Sequence, residues 1–295
     1  MWINLSLTTK KLNHVFEPHK KLLTIGITAY NEEKYIRQTI ESCVHQAGFI
    51  IVCDNASTDS TPQICAELAQ KYGNVIHLKM DQDLGKEYGY NYPLKQANTK
   101  YFMWLGGHDF LDENYTAPMI LTLENTNAVG CYPASRWIEP SGNEIGIFDC
   151  WYANDLISNS ATKRVYTLIE NLHELSAIHG IYRTEIAQKY PIQSIIGSDH
   201  VFLSHMAYHG RMIFSPRSIL NWRKTKINLS NAEILKMCEE TSGIAKSQIN
   251  YQQMCVEQLA ILKKCKVKNP SDLIKKLNLI RKAQKKLRSR FGYKF

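Results

Sequence analysis

Short apolar runs alternate with helical patterns from residue 22 to about residue 130, and this alternation constrains the fold more than any other feature of the chain. The runs at 22–28, 49–53, 75–80 and 101–105 have the length and composition of strands buried on both faces. Strands that alternate with helices are typical of βαβ units, in which the strands lie parallel. We therefore predict an α/β protein with a mostly parallel central sheet flanked by helices.

Capping residues and glycines indicate where several helices begin and end. Asn31 is a candidate N-cap for a first helix, because acidic residues follow it where the helix dipole favours negative charge. A later helix is predicted to begin near Ser198 and to end at Gly210. Residues 150–165 are predicted to form a polar loop. The pattern beyond residue 230 is helical throughout.

The charge is distributed unevenly along the chain, whose net charge is +9. Residues 261–295 hold 13 Lys or Arg and the single acid Asp272, a net charge of +12, which leaves −3 for the rest. Five apolar residues of this tail fall on one helical face: Leu273, Leu277, Ile280, Leu287 and Phe291. We expect residues 271–295 to lie on an anionic membrane surface; the alternative is that the stripe packs on the catalytic domain or on a second copy of the chain, with the charges solvated.

The eight cysteines have no C-x-x-C pair and no zinc-ribbon spacing. Several lie inside apolar runs, so we expect reduced, mostly buried thiols in a cytoplasmic protein. Residues 1–21 lack the sustained apolar segment of a secretory signal, and no stretch reaches the ~20 apolar residues that a membrane-spanning helix needs. We expect a soluble or peripheral protein without a cleaved leader.

Polar residues directly follow three of the predicted strands. Residues 29–32 read AYNE after the first strand, residues 54–59 read DNASTD after the second, and residues 107–109 read GHD after the fourth. Ligands of open α/β sheets bind outside the carboxyl ends of the strands. We therefore expect these three clusters to form one binding site.

Four motifs, TAYNEEKYI, VCDNASTDST, WLGGHDF and GSDHVFL, occur in an order and spacing that resemble the family 2 inverting glycosyltransferases over residues 22–230. The resemblance implies a GT-A fold, with a Rossmann-like sheet and a C-terminal helical extension. It also implies transfer of a sugar from a nucleoside diphosphate to an acceptor hydroxyl with inversion, as in capsule or lipopolysaccharide synthesis. On this basis we expect a catalytic domain over residues 1–228 and a helical region over residues 229–295.

The resemblance also implies which residues hold the donor. The first nucleotide-binding segment is matched by Ala29, Tyr30, Asn31 and Glu32. Asp54 matches the first member of an acidic pair that binds the base, and Asn55 stands in the place of the second. The amide oxygen of Asn55 can accept a hydrogen bond from the imide N–H of uracil or thymine, so a UDP- or dTDP-sugar is expected.

The remaining site residues are implied in the same way. Asp109 matches the acid that binds a divalent cation, with His108 beside it, so Mn²⁺ or Mg²⁺ is expected on the donor diphosphate. Asp199 matches the general base that deprotonates the acceptor. Arg223 matches a phosphate-binding arginine, although Thr225 replaces the histidine that usually follows it.

Some further residues are candidates for sugar or acceptor contacts: Trp151, Tyr152, His179 and Arg183. A second metal site at His205 and His209 is less favoured than core packing, because the spacing is i, i+4 but the glutamate of an H-E-x-x-H motif is missing.

Other classes of function stay open from the sequence. A sugar nucleotidyltransferase has similar substrates but normally opens with a Gly-rich, basic phosphate loop. A nucleic-acid-binding protein would explain the basic tail, but no recognition motif accompanies it. A dinucleotide-dependent oxidoreductase would carry G-x-G-x-x-G after the first strand, where this chain has TAYNEE. We favour the transferase, with a glycan or lipid-linked acceptor and no nucleic-acid partner; the oligomeric state stays open.

Overall fold

The computed structural model describes residues 19–148, 153–171, 176–224, 251–267 and 269–291. Within these residues nine strands form one sheet: β1 Leu23–Ala29, β2 Phe49–Asp54, β3 Val75–Lys79, β4 Tyr101–Gly106, β5 Phe110–Leu111, β6 Gly130–Ile138, β7 Glu144–Phe148, β8 Ile181–Arg183 and β9 Met212–Arg223. Their order is β3-β2-β1-β4-β8-β6-β9-β5, and β7 pairs with β6. The first four strands are parallel, as predicted, and β6 and β9 are parallel to each other.

Helices flank the sheet on both faces. They are α1 Ile36–Cys43, α2 Thr61–Lys71, α3 Lys86–Gln96, α4 Thr116–Glu124, α5 Ala153–Leu156, α6 Ala161–Glu170, α7 Thr184–Ala187, α8 Ser198–His209, α9 Gln252–Lys264 and α10 Pro270–Phe291. The predicted α/β fold is thereby confirmed. The limits predicted for α8 are also confirmed, since the helix begins at Ser198 and Gly210 follows its last residue.

The carboxyl ends of the central parallel strands are level with one another. Ala29 of β1 pairs with Asp54 of β2, and Thr28 of β1 pairs with Gly106 of β4. Because the strands run in the same direction, the segments that follow them leave the sheet at the same edge. The three polar clusters of the sequence therefore lie side by side.

The predicted start of the first helix at Asn31 is wrong. Asn31 has a left-handed backbone (φ 55°), and α1 begins only at Ile36, after a turn in which the Tyr35 N–H donates to the Glu32 carbonyl. The Asn31 side chain instead accepts from the N–H of Thr58, 2.9 Å away. A short polar side chain that tolerates the left-handed region serves here in a contact between loops rather than as a helix cap.

The polar loop predicted over residues 150–165 is also wrong in its described part, which contains α5 and the start of α6. Two polar residues of this stretch, Thr162 and Arg164, are buried in α6, while most of the others are exposed. The guanidinium of Arg164, for example, donates to the carbonyls of Ala207, Tyr208 and Ser158. Two of these carbonyls lie at the end of α8, where a helix leaves its last carbonyls unsatisfied. A buried arginine thus resembles a surface residue when only the sequence is read.

Two apolar cores fill the spaces between sheet and helices. One core packs the inner side chains of β1, β2 and β4 against α1, α2 and α4. The other centres on Trp104 and includes residues of α3, α6, α8, α9 and α10. Met254 and Leu259 of α9 and Leu287 of α10 belong to this second core. The C-terminal helices are therefore packed on α6 and α8, which belong to the same core.

The five residues of the tail stripe do not share one environment, which corrects the single apolar face predicted from the sequence. Leu287 is fully buried, as is Ala283 one turn before it, and Ile280 and Phe291 pack against the core. Leu273 and Leu277 are exposed to 44% and 46%. The second half of α10 is thus attached to the protein, while the first half presents apolar side chains to solvent.

Three further expectations can be compared with the described residues. Six of the cysteines lie there, and all six are free and buried, as predicted; Cys150 and Cys238 lie outside. No helix in the described segments is long and apolar enough to cross a membrane. The predicted boundary between residues 228 and 229 falls within residues 225–250, outside the described residues, and stays a prediction.

Candidate active site

A pocket of about 480 Å³ opens at the carboxyl ends of β1, β2 and β4. Among the residues predicted from the sequence, its lining contains Ala29, Tyr30, Glu32, Asn55, His108, Asp109, His179 and Asp199. Tyr30 is 49% exposed at its edge. Residues from three strand ends and from the start of α8 are therefore brought together, as the sequence analysis predicted. Asn31, Asp54 and Arg223 are not in the lining, and each has a different position.

Hydrogen bonds between the loops after β1 and β2 account for Asn31. The Asn31 N–H donates to the Ser57 hydroxyl at 2.9 Å, and the Thr58 N–H donates to the Asn31 side chain. Asp59 accepts from the N–H groups of Glu33 and Thr61, at 3.1 and 2.9 Å. Asn31 and Asp59 thus hold the two loops together beside the pocket.

Asp54 is fully buried beneath the second loop. Its Oδ1 accepts from the Ser57 N–H at 3.0 Å, and its Oδ2 lies 3.7 Å from His77 Nε2. Burial acts to raise the pKa of Asp54, but the contacts with His77 and Ser57 outweigh it, so the pKa is lowered. Asp54 is therefore a charged anchor for the loop and does not reach the pocket.

Asn55 turns towards an acid that the sequence analysis missed, Asp83. The Asn55 amide donates to Asp83 Oδ1, which also accepts from the Gly85 N–H at 2.8 Å. The side-chain oxygen Oδ1 of Asn55 in turn accepts a hydrogen bond from the Leu84 N–H at 3.0 Å. Asp83 lies on the exposed part of the pocket wall. A carboxylate from the loop after β3 thus lies beside Asn55 in the pocket wall.

The turn after β4 places His108 and Asp109 at the pocket. Gly107 packs closely beneath the loop after β1. A Cβ at this position would lie 2.9 Å from Glu32 Cγ and from the Thr28 carbonyl oxygen, so a larger residue would not fit. His108 Nδ1 lies 2.7 Å from Glu32 Oε1. With Nδ1 occupied by this carboxylate, Nε2 is the ring nitrogen left for a ligand, and it lies 4.0 Å from Asp109 Oδ1.

The charges of His108, Asp109 and Glu32 affect one another. Burial raises the pKa of Asp109, and the positive charge that His108 carries when protonated only partly opposes this effect. Burial acts to lower the pKa of His108, but the Glu32 hydrogen bond and the Asp109 charge outweigh it, so the pKa of His108 is raised. The pair therefore favours a proton on His108 or on Asp109, and a bound cation would compete with that proton.

Arg223 supports the turn from behind. The backbone N–H of Arg223 donates to Asp109 Oδ1 at 2.8 Å. Its side chain donates to the His108 carbonyl through Nε at 3.0 Å and to Gln38 Oε1 through the guanidinium. The guanidinium lies 4.3 Å from the centre of the Tyr35 ring. These contacts position the His108–Asp109 turn, and Lys86 is the long basic side chain that lines the pocket itself.

Asp199 lies in the first turn of α8 and lines the same pocket. Its Oδ1 accepts from the His200 N–H at 2.9 Å. The helix is preceded by Gly197, whose left-handed backbone (φ 75°) lies against Met254 of α9. The position of Asp199 therefore depends on a C-terminal helix.

The other candidate contact residues separate into different places. His179 lines the pocket, with Nδ1 3.0 Å from the Trp104 carbonyl, and Trp222 lines it nearby. Arg183 lies elsewhere, donating to the backbone carbonyls of Ala128, Leu123 and Thr126. Trp151 and Tyr152 lie outside the described residues.

His205 and His209 form an aromatic cluster with Tyr190. The Tyr190 ring stacks on His205 with centroids 4.0 Å apart, and its hydroxyl lies 2.6 Å from His209 Nε2. Burial lowers the pKa of His205 to about 4. This arrangement is consistent with the packing role favoured from the sequence.

A divalent cation fits this site only if it is shared with a ligand. The described residues contain no group of three or more His, Cys, Asp or Glu side chains able to hold a metal ion. His108 Nε2 and the Asp109 carboxylate are close enough to contact one ion. The carboxylate is an oxygen ligand of the kind that Mn²⁺ and Mg²⁺ prefer, whereas the imidazole is less suited to Mg²⁺. The remaining coordination positions would need oxygen atoms from outside the chain, such as those of a diphosphate.

Comparison with known proteins gives one family. The family model "Glycosyl transferase family 2" matches residues 24–190, which contain β1 to β4, β8 and the His108–Asp109 turn. A crystal structure of S. aureus TarS in complex with UDP-GlcNAc has the same fold, with a TM-score of 0.61 and 15% sequence identity. That likeness covers 91% of this chain and 73% of the TarS chain.

Curated relatives match shorter segments. An uncharacterized glycosyltransferase of Methanocaldococcus jannaschii is 34% identical over 100 residues, which cover 32% of this chain and 34% of that protein. The minor teichoic acid biosynthesis protein GgaB of Bacillus subtilis is 37% identical over 89 residues, covering 28% of this chain and 10% of GgaB. A dolichyl-phosphate-sugar glucuronosyltransferase of Methanococcus voltae is 24% identical over 214 residues, covering 68% of this chain and 65% of that enzyme. The chain thus spans about a third or less of the first two relatives.

Proposed function

The chain belongs to glycosyl transferase family 2, and we propose that it transfers a sugar from a UDP- or dTDP-sugar to an acceptor hydroxyl with inversion. The pocket that contains His108, Asp109 and Asp199 is the single observation that carries the proposal. The pocket combines His108 and Asp109, which can hold a cation on the leaving diphosphate, with the Asp199 carboxylate, which can take a proton. Family membership shows the enzyme class; the donor, the inversion and the residue roles below are the proposal.

The base of the donor is assigned to the wall formed by the first three strand ends. Asp83 is held by Asn55 and by the Gly85 N–H through Oδ1. Its Oδ2 can then accept the imide N–H of uracil or thymine, a donor that cytosine lacks at this position. The exposed ring of Tyr30 at the pocket edge offers a surface on which the base can stack. A uracil or thymine nucleotide is therefore favoured.

The diphosphate is assigned to the side of the pocket that holds His108 and Asp109. These two residues would hold Mn²⁺ or Mg²⁺ there, and the ion supplies neutralisation of the charge that develops on the departing diphosphate. Lys86 lines the same pocket and adds positive charge at its mouth. Arg223 keeps the turn in place through the Asp109 carboxylate and the His108 carbonyl. Its role is to position the ligands.

Asp199 is assigned as the general base. The acceptor oxygen attacks the anomeric carbon while the bond from that carbon to the diphosphate oxygen breaks, and the bonding electrons leave with the nucleotide. The Asp199 carboxylate takes the proton of the acceptor hydroxyl. Attack from the side opposite the leaving group inverts the anomeric carbon. The contact of Asp199 Oδ1 with the His200 N–H leaves Oδ2 for this proton.

The acceptor is proposed to be a surface glycan or a lipid-linked glycan, handled on the cytoplasmic side of a membrane. The names of GgaB and of the Methanococcus voltae enzyme support this class, because they refer to teichoic acid and to a dolichyl-phosphate-linked sugar. His179 and Trp222 line the pocket next to the proposed base and are the candidates for acceptor or sugar contacts. An aromatic ring such as Trp222 offers an apolar face for a sugar ring.

A ligand-binding experiment tests the donor assignment. Thermal unfolding is measured with UDP, dTDP, CDP, GDP and NAD⁺, each with MnCl₂ and with EDTA. We expect UDP or dTDP to raise Tm more than CDP or GDP, and the rise to be larger with Mn²⁺. The D109N variant should lose the difference between Mn²⁺ and EDTA. A Tm that none of the nucleoside diphosphates changes would contradict the proposal. A rise in Tm with UDP that is equal in Mn²⁺ and in EDTA would contradict only the proposed role of the metal.

A further inference from the structure

The first half of α10 carries an apolar patch that the core does not cover. Leu273, Ile274 and Leu277 are exposed to 44%, 63% and 46%. Leu277 is four residues after Leu273 and three after Ile274, so its side chain adjoins both. Ala283 and Leu287, further along the same helix, are fully buried. The second half of the helix is therefore attached to the core, while the first half presents large apolar groups to solvent. The side that carries Ile274 and Leu277 is called its outward side.

Basic residues continue this outward side along the helix. Positions seven residues apart lie on nearly the same face, so Arg281 follows Ile274, and Lys285 follows within the next turn. Ala283 is nine residues beyond Ile274, half a turn round the helix, which places the buried side opposite. Arg281, Lys282 and Lys285 are exposed. Over Pro270–Phe291 the sequence has eight Lys or Arg and only one acid, Asp272.

We propose that this outward side of α10, the docking face (Ile274, Leu277, Arg281 and Lys285), binds the surface of an anionic lipid bilayer. Helices that lie in a membrane interface combine an apolar edge with flanking Lys and Arg in this way. The charge is complementary to anionic headgroups, and the apolar side chains reach the boundary between headgroups and acyl chains. The docking face is thus smaller than residues 271–295, because Ile280, Leu287 and Phe291 pack on the core.

Helix α10 is connected to the proposed active site through a series of packing contacts. The Phe291 ring at its end packs on Tyr251, with centroids 4.5 Å apart. Tyr251 directly precedes α9, whose Met254 lies against Gly197, and Asp199 follows two residues later. A bilayer on α10 would therefore lie against a helix whose end adjoins the element that carries the proposed base. Such a position suits an acceptor that is anchored in lipid. The docking itself does not depend on the chemistry proposed for the pocket.

Vesicle flotation tests the proposal. The full chain is mixed with vesicles of phosphatidylcholine alone or with an equal part of phosphatidylglycerol, at low and at high salt. We expect flotation with the anionic vesicles at low salt, and ~10-fold less in the charge-reversal variant R281E/K285E. The I274E/L277E variant should also lose flotation. The matched control is I145E/I147E, which places two acids on exposed apolar positions of β7 and should float like the original chain.

Three outcomes would overturn the proposal. The first is a chain that does not float with anionic vesicles at low salt. The second is I274E/L277E floating as well as I145E/I147E. The third is a dimer in light scattering that I274E/L277E converts to a monomer, which would assign the patch to a second copy of the chain. UDP binding is measured on the same samples, since its loss with normal flotation would count only against the proposed donor site.

Discussion

The carboxylate of Asp199 is the group on which the proposed chemistry depends most. Replacing it with asparagine keeps the shape and the contact with the His200 N–H but removes the ability to take a proton. We expect D199N to lower turnover by ~10²-fold or more with UDP affinity and Tm nearly unchanged. D155N, which changes a partly exposed aspartate of α5 outside the pocket lining, is the matched control. Transfer by D199N at nearly the original rate would show that Asp199 is not the base.

Asp83 is expected to recognise the base of the donor. A hydrogen bond to a charged group is worth about 1.5–3 kcal/mol, so D83A should weaken UDP binding by roughly 10-fold or more. D81A removes an exposed acid two residues earlier and should bind UDP like the original protein. Calorimetric titration with UDP measures both. If D83A and D81A bind UDP equally, the base is recognised elsewhere.

Asp54 should influence stability at acidic pH rather than donor binding. Folding lowers its pKa below the ordinary 3.8. A depressed folded pKa stabilises the protein fully above the unfolded value, and this contribution is lost as the pH falls through the folded value. The difference in unfolding free energy between the original protein and D54N should therefore be constant from pH 7 to about 5 and shrink toward pH 3. Urea unfolding at several pH values measures it. A difference that grows on acidification would contradict this assignment.

At this scale the sequence analysis located the acids but not all of their partners. Asp54 and Asp109 were found because each follows a predicted strand, and Asp199 because GSDHVFL resembles the family motif. Asp83 was missed because its role depends on the Asn55 amide, 28 residues away in sequence. Arg223 was predicted at the phosphates, but its described contacts are with the backbone and carboxylate of the His108–Asp109 turn. Side-chain direction is decided by tertiary contacts, which a motif does not contain.

At the scale of elements, apolar strands were easier to predict than polar helices. The four central strands were predicted to within one residue at each end, because buried parallel strands are continuous apolar runs. The polar stretch 150–165 was predicted as a loop, although α6 begins within it. Thr162 and Arg164 are polar but buried, and Arg164 is accommodated by carbonyls at the end of α8. The apolar residues Val165, Leu168 and Ile169 have helical spacing, but they lie at or beyond the end of the predicted loop.

The turn before α8 should be sensitive to a single methyl group. A Cβ at Gly197 would lie 2.3 Å from Met254 Sδ, and the backbone there is left-handed. We expect G197A to reduce stability by more than about 1 kcal/mol and to lower turnover, because the start of α8 must shift. G73A is the control, since its Cβ would meet no atom within 4 Å. Thermal unfolding and donor turnover measure both effects.

The Met254 contact can be separated from the backbone effect. M254A removes the side chain that the new methyl group would meet, so G197A should cost less stability in the M254A background than in the original protein. Equal costs in the two backgrounds would show that backbone strain alone limits position 197.

At the scale of the whole molecule, the C-terminal helices and the sheet share one core. Met254, Leu259 and Leu287 pack in the same cluster as Trp104, and Gln258 donates to Ser204 of α8 at 3.0 Å. The sequence predicted a helical region after residue 228 and an exposed basic tail, because charge and period are visible locally. It could not show which half of the stripe is buried, since that depends on the helices against which α10 packs.

This shared core predicts that the protein unfolds in one step. Leu287 is fully buried at the junction, so L287A should cost about 2–5 kcal/mol, whereas L273A on the exposed part should cost less than about 0.5 kcal/mol. Because the helices and the sheet share one core, UDP binding should be lost at the same denaturant concentration as the helical structure. Circular dichroism and UDP binding are followed together through a urea titration. Two separate transitions in L287A, with UDP still bound after the first, would instead establish residues 229–295 as an independent folding unit.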